Sequence, residues 1–218
     1  MSGLVGDVMT REVVVARPET TFREAVRLIE DHHVHALPVV DETRHALGMV
    51  AESDLLVKEE LAEGHVRTPL QRRGRARLAG TTAGEIMTSP AVTIGSSQTL
   101  GQAAKLLHRR HIGRLPVVDD DGRLIGIVTR SDLLRVFLGS DEDLLVAVQQ
   151  AIAAVDDPGS HTISATVDDG VVVLHGSAQL GSQVRAVGDR VRRVPGIVRL
   201  DVAATAVYDD LYPGRVGP

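Results

Sequence analysis

The chain has 218 residues, 43% of them hydrophobic and 24% charged. That is long enough to bury a core and unlike the composition of a disordered chain. A net charge of −5, with acids and bases in balance as far as Ser140, argues against a dedicated nucleic-acid binder. The absence of Cys excludes disulfides, thiolate metal sites and a Cys nucleophile, and two Phe, two Tyr and no Trp leave little to stack bases on. No apolar run approaches the roughly 20 residues of a membrane span. The first seven residues lack the basic and apolar regions of an export signal, so a cytoplasmic place is expected, with the inner membrane surface as a peripheral one.

Along the chain one unit occurs twice, at a constant offset of 78 residues (7 to 85, 37 to 115). Asp7-Val8-Met9-Thr10 returns as Glu85-Ile86-Met87-Thr88, and Leu37-Pro38-Val39-Val40-Asp41 as Leu115-Pro116-Val117-Val118-Asp119. Gly48-Met49-Val50 returns as Gly126-Ile127-Val128, and Ser53-Asp54-Leu55-Leu56 as Ser131-Asp132-Leu133-Leu134. Each copy opens with a short predicted strand, 13–16 and 91–94. A helix follows, with the capping signatures Thr21-x-x-Glu24 and Thr99-x-x-Gln102. Its apolar stripe is Phe22, Ala25, Val26 and Ile29, answered by Leu100, Ala103, Ala104 and Leu107. Two strands come next, 37–40 with 47–50 and 115–118 with 124–128. A second helix is expected to start at Ser53-Asp54 and at Ser131-Asp132. Such a unit is too one-sided to bury its sheet alone, and two copies about a pseudo-twofold axis bury the sheets together. Residues 61–82 read as a linker. Its Arg67, Arg72, Arg73, Arg75 and Arg77 are either a solvated face or an anion contact.

From Asp141 the pattern changes. A helix with stripe Leu144, Leu145, Val148 and Ile152 is expected to stop at Asp157-Pro158-Gly159. Strands 161–167 and 171–175 flank the turn Asp168-Asp169-Gly170. A helix over 180–194 and a strand over 197–206 complete an α-β-β-α-β order, and 209–218 read as a tail.

The Met-Thr entry, the Leu-Pro-Val-Val-Asp strand and Gly-x-x-[Thr/Ser]-x-x-Asp, found in order in both copies, resemble the CBS domain pair, or Bateman module. The resemblance covers residues 3–138. It implies a mixed α+β and α/β fold with repeats over 1–60 and 83–139. It also implies an adenosine-containing regulatory ligand (AMP, ADP, ATP or S-adenosylmethionine type) in the clefts, and a homodimer formed through the CBS units. Carried over by position, one cleft uses Thr129, Ser131, Asp132 and Ile127 with Thr10, Val15, Val34, His35 and the phosphate-facing Arg114. The other uses Met49, Ser53, Asp54, Thr88, Thr93 and Ile112. Ala51 stands where the first cleft has Thr129, so the Asp54 cleft is expected to be the weaker. Caps alone also account for Ser53-Asp54 and Ser131-Asp132. A carboxylate at a helix start can also accept ribose hydroxyls, while a neighbouring hydroxyl and the N–H groups there suit a phosphate.

Asp-Gly-Val-Val-Val-Leu-His-Gly at 169–176 and Val-Pro-Gly-Ile-Val at 194–198 resemble the BON domain, over 140–208. That resemblance implies a phospholipid or protein partner. His32, His33 and His35 sit at a helix end where side chains diverge, so a metal is not expected. Without a Ser-His-Asp arrangement, metal box or phosphate-binding glycine loop, neither is catalysis. A ligand sensor that relays to its C-terminal unit is therefore expected. A ligand-independent scaffold is the alternative.

Overall fold

The computed structural model describes residues 3–56, 80–155 and 162–210. Most of the linker with its five arginines, the Asp157-Pro158-Gly159 stop and most of the tail lie outside these residues. The chain divides into two compact units, residues 8–130 and residues 1–7 with 131–218.

In the first unit the two copies fold alike. Helix α1 (Val5–Val8), most of which falls in the other unit, leads into Met9. Helix α2 (Phe22–His32) begins where the Thr21 hydroxyl accepts from Glu24 N at 3.3 Å, and it buries Ala25 and Ile29. It stops because His33 turns left-handed, with φ of 51°. Strand β1 (Ala36–Val40) pairs antiparallel with β2 (Ala46–Ala51), and the register slips between Val39 and Val40. After the linker come α3 (Ala83–Ile86), β3 (Ile94–Gly95) and α4 (Leu100–Arg110). In α4, Thr99 and Gln102 cap each other in both directions, and His111 ends the helix with φ of 53°. Strands β4 (Arg114–Val118) and β5 (Leu124–Thr129) repeat the hairpin, with the slip at the equivalent Val117–Val118.

The predicted opening strands are much shorter than expected. Residues 13–16 contribute one bridge, Ala16 to Val39, and 91–94 contribute only Ile94, the first residue of β3. Proline is the reason. Ala16 N donates to Pro38 O and Ala16 O accepts from Val40 N. The next parallel rung toward the N-terminus requires an N–H on Pro38, which has none, and Pro116 ends the second ladder in the same way.

The helix after each hairpin also starts earlier than expected, at 52 in the first copy and at Arg130 in α5 (Arg130–Arg135). Ser53 and Ser131 therefore sit inside the first turn and are not N-caps. Asp54 satisfies the helix entry by another route, its Oδ2 accepting from Ala51 N at 2.9 Å.

The copies are joined by exchange. Thr10 pairs with Ile127 on β5 and Thr88 with Met49 on β2, so each copy's entry segment adds to the other copy's hairpin. His45 bridges Arg123, which is its own counterpart 78 residues on, and this marks the pseudo-twofold axis. The core of the first copy holds Leu37, Val39, Val50, Ile29 and Leu55, and Ala83 and Ile86 of α3 complete it.

In the second unit a 3₁₀ turn (Val136–Leu138) precedes α6 (Asp141–Ala153). Strands β6 (Ser164–Asp168) and β7 (Val171–His175) form an antiparallel hairpin, and β9 (Arg199–Val202) adds parallel to β7. Between them lie β8 (Ser177–Leu180) and α7 (Gly181–Val191). The strand expected over 197–206 is two pieces, β9 and β10 (Thr205–Tyr208), because the sheet bends at Gly176 (φ 108°) and β10 pairs beyond the bend with β8. Leu144, Val148 and Ile152 of α6 pack with Val172, Leu174, Val187 and Val191. Asp141 pins α6 to the β6–β7 turn, its carboxylate accepting from Asp169 N at 2.7 Å and Gly170 N at 2.9 Å.

Candidate ligand cleft

The end of β2, the start of the following helix, the Thr88 entry segment and the turn before β4 enclose a cavity of about 310 Å³. Small residues make room for it: Ala36 and Ala51 at the strand ends, Ala91 and Gly113 opposite. Of the residues assigned to the Asp54 cleft from sequence, Met49, Ser53, Asp54, Thr88 and Ile112 line it together, whereas Thr93 does not. Asp54 is half-buried there. Its Oδ2 is held by Ala51 N, and Oδ1 makes no hydrogen bond among the described residues.

Arg114 lines this same cavity. The sequence assignment had put it with Asp132. The difference follows from strand pairing. Arg114 opens β4 directly beyond Ile112 and Gly113, whose turn is the wall facing Asp54. Burial pushes the Arg114 guanidinium below its ordinary pKa, and the nearby Glu52 carboxylate opposes that shift. Among the described residues the guanidinium forms no ion pair. A half-buried cation held only by the field of Glu52, with no direct ion pair, retains part of its desolvation cost, which a bound anion would offset.

The other assigned residues are distributed differently. Thr10 and Ile127 meet through their backbones. Val34 and His35 line a shallower depression of about 260 Å³ with Ile29, Glu30, His33 and Glu52, and His35 Nδ1 lies 3.0 Å from Glu52 Oε2. Val15 is half-buried beside the Ala16 bridge, and Thr129 closes β5 opposite Arg114. Asp132 is 7% exposed in the first turn of α5, 3.3 Å from Arg135, and Ser131 is exposed beside it. The histidines are explained locally. His33 and His111 are left-handed helix ends, and the rings of His108 and His111 stand 6.3 Å apart. Among the described residues no group of three or more His, Asp or Glu is placed to hold a metal ion. No described helix is long and apolar enough to cross a membrane.

The missed part of the site is backbone and small side chain. Ala36, Pro90, Ala91 and Gly113 carry no chemical signature, and only the fold shows that they face a common space.

Known proteins share this fold. A CBS domain-containing protein of Dictyostelium discoideum is 33% identical over 153 residues, covering 70% of this chain and 97% of that one. The crystal structure of CBSX2 in complex with AMP matches with a TM-score of 0.52 and 35% identity, over 62% of this chain and 96% of that one. The CBS domain pair of protein MJ0100, in complex with 5′-methylthioadenosine and S-adenosyl-L-methionine, matches with a TM-score of 0.51 and 28% identity, over 62% and 96%. The chain spans about three fifths of the length of matching proteins from Methanopyrus kandleri and Arabidopsis thaliana. Of an inosine-5′-monophosphate dehydrogenase from Korarchaeum cryptofilum it spans 30%, so the pair also resides within an enzyme. The CBS domain model matches residues 5–59 and 83–139, just over half of the sequence, and the chain belongs to the CBS domain family.

Proposed function

We propose that this is a non-catalytic regulatory protein whose CBS pair binds an adenosine-containing ligand in the Asp54–Arg114 cavity. The carrying observation is the presence, in one cavity of nucleotide size, of a carboxylate with a free oxygen and a half-buried arginine that makes no direct ion pair among the described residues. Asp54 Oδ1 accepts from ribose hydroxyls. Arg114 and the N–H groups at the start of the 52–56 helix take a phosphate. Met49, Ile112 and Val92 hold the base by apolar contact. Thr88 supplies a further hydroxyl where Ala51 cannot. AMP in CBSX2, and methylthioadenosine and S-adenosylmethionine in MJ0100, support the ligand class. By repeat symmetry Asp132 answers to Asp54, and we assign it the equivalent ribose role.

The C-terminal unit, which resembles a BON domain at 169–176 and 194–198, is the proposed output. It engages protein or phospholipid according to the ligand state of the pair. Such coupling requires the ligand to bind two states of the protein unequally. The test is thermal unfolding with AMP, ADP, ATP and S-adenosylmethionine. A ligand at a hundred times its Kd stabilises the native state by about 2.7 kcal/mol. Asp54→Ala should remove the response to the ligand that binds. Absence of any shift at millimolar concentration for all four would leave the scaffold reading in its place.

A further inference from the structure

One side of α6 carries the exposed Asp143, Val146 and Gln150 and the half-buried Ala147 and Ala151, and Ala154 follows directly at its end. These residues form one helical stripe that flanks the buried Leu144, Val148 and Ile152, with Ala147 and Ala151 half-buried and Ala151 packed against that core. Together with 190–196 the stripe walls two adjoining depressions of about 390 and 440 Å³, which share Ala147, Gln150 and Val194. The result is one groove. From Asp143 to Ala154 it runs about 16 Å at 1.5 Å per residue. Its middle is formed by Ala147, Val194 and the uncharged Gln150, and Val146 stands 53% exposed at its edge. Its ends are opposite in charge. Asp143, with Glu142 beside it, lies at one end, and Arg190 and Arg193 lie at the other. Neither arginine forms an ion pair among the described residues.

We propose that this groove is an interface between two copies of the chain, with α6 of each lying antiparallel in the groove of the other, about a twofold axis near Gln150. The charge distribution selects this occupant. A twofold axis reverses the groove, so the acidic end of each copy meets the basic end of the other, twice over. A parallel arrangement would set acid on acid. A foreign acidic segment would satisfy only the arginine end. Antiparallel α6 helices also oppose their dipoles. Ala147, Ala151 and Ala154 allow the close approach, near 8 Å between axes, that small residues permit. The proposal does not depend on the ligand reading, and it uses a different surface from the CBS-mediated dimer expected from sequence.

The absence of Cys makes the test clean. In the full chain, Gln150→Cys places a single thiol next to the axis, and mild oxidation should give a disulfide-linked dimer. Ser164→Cys, exposed on the β6 strand of the sheet, is the control and should link at least tenfold more slowly. In the Gln150→Cys background, Arg190→Glu with Arg193→Glu should slow linkage at least tenfold. Adding Glu142→Arg and Asp143→Arg should restore it. Ala147→Arg, which fills the middle of the groove without touching the core, should abolish it and shift light scattering toward the monomer. Unchanged circular dichroism melts would show that these variants fold. The proposal is overturned if Gln150→Cys links no faster than the control, including when the protein is dimeric through another surface, or if the charge reversals leave the rate unchanged. Heterologous capture of another protein at the groove, without self-linkage, would also overturn it.

Discussion

Met49 and Thr88 exchange both backbone hydrogen bonds, N to O at 3.0 and 2.8 Å, and so stitch the hairpin of one repeat to the entry strand of the other. Thr10 and Ile127 repeat the exchange at 2.9 and 2.9 Å. Such closeness leaves no room for a side chain beside it. A Cβ on Gly48 would stand 2.6 Å from Met87 Sδ and 2.8 Å from Thr88 O; on Gly126 it would stand 2.5 Å from Met9 Sδ and 3.0 Å from Thr10 O. Gly48→Ala and Gly126→Ala should each cost about 1–3 kcal/mol in urea unfolding, as overpacking does. Met9→Ala should relieve part of the Gly126→Ala loss. Variants within ~0.5 kcal/mol of the unaltered chain would show that the junction is looser than these distances require.

Arg114→Ala should separate the phosphate from the nucleoside. A hydrogen bond to a charged group contributes about 1.5–3 kcal/mol, so AMP affinity should fall roughly 10- to 150-fold. Adenosine affinity should stay within about threefold. Calorimetric titration of both ligands measures the difference, and an equal loss for both would remove Arg114 from the phosphate role.

Glu52 opposes any anion that approaches Arg114. It also accepts His35 at 3.0 Å, in a pair whose side chains are largely exposed and which adds little stability. Glu52→Gln should therefore tighten phosphate-bearing ligands several-fold and should favour ATP over AMP, since the repulsion grows with ligand charge. Unchanged relative affinities of AMP and ATP would place Glu52 outside the field of the site.

Asp141 ties α6 to the Asp169–Gly170 turn through two N–H groups. Asp141→Ala leaves both donors without their acceptor and should destabilise the C-terminal unit by about 1–3 kcal/mol. Hydrogen exchange should show this as faster exchange in α6 and the β6–β7 turn, with the hairpins of residues 8–130 unchanged. Uniform acceleration throughout would contradict the local role.

Glu85 accepts from Thr81 N at 2.6 Å and Thr82 N at 3.2 Å, and these backbone bonds hold its carboxyl below the ordinary glutamate range. A lowered folded-state pKa means that the unfolded chain binds the proton first. The stabilisation is thus complete above the ordinary Glu range and is lost as pH falls below it. Glu85→Gln should flatten the acid limb of a stability–pH curve below about pH 4.5 and leave its shape near pH 7 unaltered. An unchanged acid limb would show that these bonds persist in the protonated state.

Much of the fold is legible in the repeat. The 78-residue offset, the stripes of α2 and α4, and the Leu-Pro-Val-Val strands depend on local periodicity, and the observed elements follow them to within a few residues. Where expectation failed, a longer-range rule intervened. The missing N–H of Pro38 and Pro116 cut the opening strands short. Asp54, bonding back to Ala51 N, replaced a serine cap. Gly176 bent the sheet and divided the final strand.

Sequence alone thus determined that there are two like units and one unlike, which faces of their helices are buried, and that a carboxylate lies in the first turn of the helix that follows each hairpin. Those properties reside in spacing, and spacing is local. Only the tertiary structure decided that Arg114 and Asp54 line one cavity, and that alanines and a glycine help to open it. The same holds for the groove along α6, with its opposite charges at the two ends. Such placements depend on which surfaces meet across distant parts of the chain, and backbone pairing such as that of Met49 with Thr88 settles this without marking the side chains involved.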